Sequence, residues 1–117
     1  MAHNILTGQR GESIAAEYLE RHGFVVVERN WRCHAGEIDV VAREGDQLVI
    51  VEVKTRSGPG FGHPFEALTP AKLARLYRLG VLWCVSHEHQ GSFRVDAVAV
   101  LLPSGQPVTV EHLRGVQ

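Results

Sequence analysis

The sequence predicts an α/β fold in which two helices flank a mixed central β-sheet, in the element order αβββαβ. Two segments carry apolar residues at helical spacing, and four segments of strand length are rich in β-branched or apolar residues. Packing a pair of helices against a sheet buries these apolar faces. The 117 residues fit one domain, 1–117, with a core over about residues 8–102.

The first helix is predicted over residues 8–22, before a stop signal at Gly23. Its apolar stripe has four members at helical spacing: Ile14, Ala15, Tyr18 and Leu19. Gly8 and Gly11 lie on the same side, where they permit either a close approach of the helix to the sheet or an N-terminal turn. Glu12 lies at the edge of the stripe, so it is the acid of this helix that can face the sheet.

Strands are predicted from β-branched and alternating apolar residues. The first covers residues 24–31, and a hairpin of residues 37–43 and 47–56 follows it. Residues 93–102 are apolar almost throughout, which is typical of an internal strand. Residues 108–113 add an edge strand.

The hairpin brings two charged pairs together. A two-residue Gly45-Asp46 turn places Asp39 opposite Glu52 and Glu37 opposite Lys54. By alternation, Glu37, Asp39 and Val41 share one face, and Glu52 and Lys54 share one face. Directly opposed residues have Cβ atoms about 4.5–5.5 Å apart, where like charges destabilise a sheet. The Asp39–Glu52 pair is therefore a defect or half of a cation site.

The second helix begins at Thr69-Pro70, where threonine is a good N-cap and proline suits the first helical position. The second half of this helix is apolar nearly all round, so it is buried on two sides or covers a partner subunit. From Leu79, Leu82 and Val85 we predict a homodimer through this helix.

Composition restricts the classes of function. With 12 basic and 13 acidic residues the net charge is −1, so a phosphate-binding surface must be local. Cys33 and Cys84 match no paired metal or redox spacing and are interpreted as core residues in a reducing compartment. The longest apolar stretch, residues 79–85, is too short to span a bilayer, and the N-terminus lacks a long apolar segment. We expect a soluble cytoplasmic protein with no membrane partner.

The charged pairs suit metal-assisted hydrolysis. Mg²⁺ prefers oxygen ligands, and the Asp39 and Glu52 carboxylates with the Val53 carbonyl supply part of an octahedral shell that waters complete. Lys54 lies roughly 6–7 Å along the strand from Glu52, within reach of a metal-bound or attacking water. Glu12 is a candidate for a second metal or an outer-shell water, and Glu37 for orienting Lys54. This is the chemistry of a phosphodiesterase.

Several motifs together resemble the uncharacterised bacterial YraN family, over roughly residues 8–100. They are Gly11-Glu12, Gly36-Glu37-Ile38-Asp39, Val51-Glu52-Val53-Lys54-Thr55-Arg56, Phe61-Gly62-His63-Pro64 and Lys72. That family belongs to the PD-(D/E)XK, restriction-endonuclease-like superfamily and is similar to archaeal Holliday junction resolvases.

The resemblance implies a restriction-endonuclease-like αβββαβ core and Mg²⁺ or Mn²⁺ as the cofactor. It also implies Asp39, Glu52 and Lys54 as the catalytic triplet and Glu12 as the acid of the first helix. Ile38 stands where the superfamily name has proline. Near the C-terminus, Phe93-Arg94-Val95-Asp96 departs from the family's Arg-Phe-Asp order, so no role is carried over to Arg94 or Asp96.

Other charged and loop residues admit two interpretations. Four cations form either a phosphate-contacting rim or ordinary exposed charges: Arg43, Arg56, Lys72 and Arg75. Phe61 and His63 lie in a loop that closes over substrate or is a structural turn. A zinc site at Cys84, His87 and His89 is disfavoured because Cys84 belongs to the apolar helix stripe and no fourth ligand is near.

Three functions follow from these features. The leading one is a Mg²⁺-dependent nuclease acting on DNA, on branched, damaged or single-stranded substrates. The second is a non-catalytic nucleic-acid or protein adaptor that keeps the nuclease fold, and the third is a small dimerisation domain. A binding module has no need to keep a repulsive acid pair, which favours the nuclease.

Overall fold

The computed structural model describes residues 2–58 and 62–117. Its elements are two α-helices, five strands and one 3₁₀ helix, in the order α1 (Ala2–Arg21), β1 (Phe24–Cys33), β2 (Gly36–Glu44), β3 (Gln47–Ser57), the 3₁₀ helix (Pro64–Ala67), α2 (Pro70–Ser86), β4 (Phe93–Leu102) and β5 (Thr109–Leu113). The predicted αβββαβ order is confirmed, and β5 adds a fifth strand.

The strands form one mixed sheet in the order β1-β2-β3-β4-β5. Strands β3 and β4 are parallel, because α2 carries the chain back across the sheet between them, and the other neighbours are antiparallel. The prediction of β4 as an internal strand and of β5 as an edge strand is confirmed. The mixed sheet flanked by two helices is the predicted fold class.

Each face of the sheet is covered by one helix. Beneath α1, the buried cluster has eleven members: Ala15, Leu19, Phe24, Val40, Ala42, Val49, Val51, Val53, Val98, Val100 and Leu102. Beneath α2, it has eight: Ile38, Val41, Leu48, Ile50, Leu76, Leu79, Trp83 and Val95. The nearly continuous apolar character of β3 and β4 follows from burial on both faces.

Helix α1 packs tightly onto β3 near its N-terminal half. A methyl group at Gly11 would overlap the hydroxyl of Thr55, whereas one at Gly8 would meet no atom within 4 Å. The close-approach interpretation is therefore correct for Gly11. The helix begins six residues before the predicted start because Gly8 is accommodated within it.

Helix α2 begins as predicted, since the Thr69 side chain accepts a hydrogen bond from the Lys72 N–H at 3.2 Å. The assignment of Leu79 to a dimer face is wrong, because its side chain is 1% exposed in the cluster beneath α2. Val85 is 72% exposed on the outer side of the helix. Neither helix is long and apolar enough to cross a membrane, as far as the described residues go.

The predicted hairpin register is confirmed for the five residue pairs beside the turn. Gly45 has φ +60°, as the first central residue of a type II′ turn requires, and Glu44 pairs with Gln47 across it. The pairing continues in this register as far as Val40 opposite Val51. The predicted pairs of Asp39 with Glu52 and of Glu37 with Lys54 lie beyond this point, where β2 and β3 are no longer paired.

Candidate metal centre

The candidate site lies where β2 and β3 stop pairing. Both strands continue beyond Val40 and Val51 without pairing to each other. Here the Asp39 carboxylate, instead of a backbone carbonyl, accepts a hydrogen bond from the Val53 N–H at 2.8 Å. The N–H and C=O of one strand residue point to the same neighbouring strand, so the Val53 carbonyl also faces this gap. The gap therefore collects an acidic side chain and a backbone oxygen.

Three carboxylates meet at the gap. Oxygen atoms of Glu12, Glu37 and Asp39 all lie within 4.8 Å of one another. Glu12 reaches the gap from α1 because the neighbouring Gly11 lets the helix backbone contact Thr55 on β3. Among the described residues, one group brings three or more acidic, histidine or cysteine side chains close enough to share an ion, and it is this one.

The electrostatics of the gap favour a cation. Burial raises the pKa of Asp39 to about 8, helped by its hydrogen bond to Glu52 and by the charge of Glu52, while the Val53 N–H acts in the opposite direction. Burial and the charge of Glu37 also raise the pKa of Glu12. Both shifts disfavour the charged form of these carboxyl groups, and a bound metal ion would act in the opposite direction because it binds the deprotonated form.

Lys54 and Glu37 do not form the predicted ion pair. The Lys54 Nζ lies 3.5 Å from a Glu52 oxygen on the same strand, and Glu37 instead binds Arg32. Arg32 is the direct cross-strand neighbour of Glu37 on β1, whereas β2 and β3 have separated at this point. Glu37 is thus held from the β1 side.

The predicted shared face of Glu37, Asp39 and Val41 is also wrong. Ile38 and Val41 both pack in the cluster beneath α2, although strict alternation would place residues three apart on opposite faces. The alternation of side chains in β2 is therefore broken by one extra residue near Asp39, which we call the slip. The side chain of Asp39 points towards β3 and into the gap.

Three of the four predicted rim cations lie near the gap. Lys72 and Arg75 on α2 line a cleft of about 260 Å³ together with Glu52 and Lys54. Arg56 lines a second cleft of about 560 Å³ on the α1 side, where Glu12 and Lys54 also lie. Lys54 therefore borders both clefts.

Arg43 is not part of this group. It pairs with Leu48 beside the hairpin turn and lies four positions along the strand from Asp39, a distance of roughly 13 Å. It is exposed. Arg43 was predicted as a rim residue from its charge alone, and its position along the strand was not considered.

Two further arginines near the site come from β1 and were not predicted. Arg32 binds Glu37, and Arg29 donates a hydrogen bond to Ser13 of α1 at 3.3 Å. The signal for Arg32 was present in the sequence. Cys33 pairs with Gly36 across a two-residue turn, and counting from that turn places Arg32 opposite Glu37.

A second charged network surrounds Asp96 on β4. The buried Asp96 carboxylate accepts hydrogen bonds from Arg94 at 2.9 and 3.1 Å and from the Gly115 N–H at 2.9 Å, and it contacts His112 at 2.8 Å. Burial opposes ionisation, but these partners outweigh it and lower the pKa of Asp96 to about 2. Asp96 is therefore a structural hydrogen-bond acceptor in the sheet.

The remaining candidate residues have structural contacts. His63 caps the 3₁₀ helix by accepting from the Phe65 N–H at 3.1 Å, and its other ring nitrogen lies 2.7 Å from Glu111. Phe61 lies outside the described residues. His87 stacks on Trp83 with ring centroids 3.9 Å apart.

Comparison with known proteins identifies relatives of the chain. The model of the uncharacterised protein family UPF0102 matches residues 11–100. A UPF0102 protein of Arthrobacter sp. (strain FB24) is 60% identical over 113 residues, 95% of each chain, and one of Renibacterium salmoninarum is 54% identical over 117 residues, 99% of each. Among solved structures, Hjc of Archaeoglobus fulgidus, a Holliday junction resolvase, aligns with a TM-score of 0.47 and 19% identity. The alignment covers 89% of this chain and 75% of that one.

Proposed function

We propose that this chain, which belongs to the uncharacterised protein family UPF0102 as its YraN-like motifs predicted, is a Mg²⁺- or Mn²⁺-dependent nuclease that hydrolyses DNA phosphodiester bonds. The observation that carries the proposal is the convergence of Glu12, Glu37 and Asp39 within 4.8 Å at a break in the sheet. Three carboxylates at this distance repel one another, and a divalent cation removes the repulsion.

The donor atoms fit a hard divalent ion. Carboxylate and carbonyl oxygens are the ligands that Mg²⁺ and Mn²⁺ prefer, and the described site offers no sulfur or imidazole at the gap. We assign Asp39, Glu52 and the Val53 carbonyl as ligands, with Glu12 as a further ligand or the holder of an outer-shell water. A bound ion would supply a water of lowered pKa and stabilise charge on a phosphoryl oxygen.

Lys54 supplies a fixed positive charge beside the ligands. Its Nζ lies 3.5 Å from a Glu52 oxygen and its side chain is 24% exposed, so its position is restricted. In the proposed reaction it holds the attacking water and faces the negative charge that develops on the phosphate. Glu37, held by Arg32, completes the acidic side of the gap.

The surrounding cations make the site suitable for a phosphate backbone. Lys72 and Arg75 border the cleft on the α2 side, and Arg56 borders the cleft on the α1 side. The net charge of −1 fits DNA binding only if such a local surface exists. Clefts on both sides of the ligands leave room for a strand to pass across Lys54.

Cleavage assays test the proposal directly. Purified protein is incubated with flap, four-way junction and single-stranded DNA in the presence of Mg²⁺ or Mn²⁺. We expect cleavage by the wild type and by Asp46→Asn, which removes an exposed acid at the hairpin turn, but not by Asp39→Asn. If no substrate is cut, or if Asp39→Asn cuts as fast as Asp46→Asn, the catalytic assignment is wrong.

Binding assays test the rim separately from catalysis. With a chelator present, Lys72→Ala or Arg75→Ala should weaken DNA binding and reduce the slope of log affinity against log salt by about 0.7–0.9 for each phosphate that the variant no longer neutralises. Arg43→Ala is the matched control, because it removes an exposed cation far from the gap. An equal loss of affinity in all three variants would indicate general charge attraction rather than a defined rim.

The adaptor function has one observation in its favour, an apolar outer face of α2. Tyr77, Val81 and Val85 are 46%, 40% and 72% exposed there. The predicted homodimer, without Leu79, would use this face. Sedimentation that shows only monomer at high concentration removes the dimer, and DNA binding without Mg²⁺ binding at millimolar ion favours the adaptor over the nuclease.

A further inference from the structure

Strands β1 and β2 lose their alternation at the same place. In β1, Glu28 accepts a hydrogen bond from Trp83 of α2 at 3.0 Å, and Trp31 also packs in the cluster beneath α2. In β2, Ile38 and Val41 pack in that same cluster. Members of each pair are three residues apart and should lie on opposite faces of the sheet. Each strand therefore contains one extra residue between the members of its pair. In β1 this is separate from the bulge between Val26 and Glu28, where the register with β2 shifts by one residue.

The break in alternation can be placed at one residue of each strand, because the residues next to it still have a clear face. Arg29 donates to Ser13 of α1, and Val40 packs in the cluster beneath α1. Arg29 pairs with Val40, and Trp31 pairs with Ile38. Counting inward from both pairs leaves Asn30 directly opposite Asp39. The two extra residues therefore face each other, so the register stays the same from the Glu28–Val41 pair to the Cys33–Gly36 pair.

Asn30 has an unusual backbone conformation for a strand. Its φ is +54°, and among the described non-glycine residues only Glu88, with φ +53°, shares the left-handed region. Asparagine tolerates this region better than most residues, and valine tolerates it poorly. Irregular strand residues next to functional sites commonly redirect a side chain.

We propose that Asn30 is a positioning residue whose left-handed conformation holds the paired slip and thereby points the Asp39 carboxylate into the gap. Without the slip, alternation would return Asp39 to the sheet face beneath α2, and the hydrogen bond that it accepts from the Val53 N–H at 2.8 Å would break. The same slip turns Glu37 towards Glu12. Asn30 is exposed, so this role does not depend on core packing.

Substitutions that change only the preference for the left-handed region test the role. Asn30→Gly retains this conformation without cost, Asn30→Ala disfavours it, and Asn30→Val disfavours it more. Glu88→Val is the matched control, because Glu88 has nearly the same φ but follows α2, away from Asp39. Hydrogen exchange of the Val53 amide, measured by NMR in metal-free protein, reports whether Asp39 still occupies the gap.

We expect Asn30→Val to accelerate Val53 exchange about tenfold or more, Asn30→Ala by a smaller factor and Asn30→Gly by less than about twofold. Glu88→Val should leave Val53 exchange unchanged. If Asn30→Val does not fold, the Ala and Gly variants decide the question by the same ranking. Unchanged exchange in the Ala and Val variants, or equal acceleration by Glu88→Val, would overturn the role of Asn30.

A second measurement links the role of Asn30 to metal binding. This link, unlike the positioning of Asp39 itself, rests on the proposed function. Calorimetric titration with Mn²⁺ should show about tenfold weaker binding by Asn30→Val and wild-type binding by Asn30→Gly. Wild-type protein that binds no Mn²⁺ while Val53 exchange follows the predicted ranking would refute the metal-dependent function and leave the positioning role intact. Normal Mn²⁺ affinity in a variant with accelerated Val53 exchange would show that Asp39 is not a ligand.

Discussion

Asp39 and Asp96 are two aspartates in the same sheet with opposite electrostatics. Burial opposes ionisation at both, but it raises the pKa of Asp39 to about 8, whereas the pKa of Asp96 falls to about 2. The difference lies in the partners. Asp96 meets Arg94, His112 and a backbone N–H, while Asp39 meets one backbone N–H and the carboxylate of Glu52.

The comparison separates structural from functional charge. The Asp96 network is satisfied within the chain and ties the C-terminal segment to β4, since the Val116 N–H also donates to the Val95 carbonyl at 2.8 Å. The acids at the gap are not satisfied within the chain in their charged form. Unsatisfied, strongly shifted groups in a cleft are typical of functional sites.

Replacing Asp39 with asparagine should give the largest effect, on cleavage. Asn keeps the shape but removes the charge that holds the ion, so we expect the single-turnover rate to fall by at least about 1000-fold, equivalent to the several kcal/mol that a bound metal contributes. Rates on the preferred substrate at saturating Mg²⁺ measure this. The same change at Asp96 should leave the rate per folded molecule nearly unaltered, and a comparable loss there would erase the distinction between the two aspartates.

For the free energy of unfolding, we expect the opposite ranking: Asp96→Asn should have the larger effect and Asp39→Asn the smaller one. Asp96→Asn leaves Arg94 and His112 facing a neutral amide in a buried network, and we expect the free energy of unfolding to fall by about 3 kcal/mol. Asp39→Asn relieves repulsion with Glu52 and should keep or raise the stability of metal-free protein. Urea unfolding monitored by tryptophan fluorescence compares them, and a greater loss at Asp39 than at Asp96 would contradict the assignment.

Local patterns were sufficient to predict much of this sheet. The Gly45-Asp46 turn fixed the pairing from Glu44–Gln47 to Val40–Val51, because a two-residue turn leaves one register. Glu12 was correctly placed towards the sheet, since helical spacing alone determines which side of α1 it occupies.

The remaining features depend on contacts that periodicity does not contain. The break at Asp39 needs a left-handed Asn30 on another strand, and nothing in the spacing of β2 indicates it. The Asp96 network joins β4 to His112 and Gly115 far along the chain. Glu37 was assigned to Lys54 because only one of its two neighbouring strands was counted.

Gly11→Ala tests whether the gap depends on the approach of α1. A methyl group there would overlap the Thr55 hydroxyl and push the helix from β3, so we expect a loss of about 2 kcal/mol in the free energy of unfolding. Glu12 would move with the helix, and Mn²⁺ affinity measured by calorimetry should fall. Gly8→Ala is the matched control, since a methyl group there meets open space and should stabilise the helix by about 0.5–1 kcal/mol. Equal effects of the two changes would show that α1 is not closely packed at Gly11.

The smallest expected effect is a pH dependence of stability between pH 5 and 8, where Asp39 contributes and Asp96 does not. The pKa of Asp39 in the folded protein, about 8, lies above that of an unfolded aspartate, so from about pH 4 to 8 the unfolded chain has lost a proton that the folded chain retains. Raising the pH through this range therefore destabilises the folded protein. Asp96, with a folded pKa of about 2, loses its stabilising contribution only as the pH falls below about 4.

Urea unfolding of metal-free protein at pH 5, 6.5 and 8 isolates this contribution when wild type is compared with Asp39→Asn. The stability of the wild type relative to the variant should fall by about 1 kcal/mol over the range. This is less than the full pKa difference would give, because Asp39 is only half-buried. The other ionisable groups are the same in both proteins, so their contributions cancel in the difference. A difference that is constant with pH would mean that Asp39 is already ionised at pH 5, and that its partners satisfy it as fully as those of Asp96.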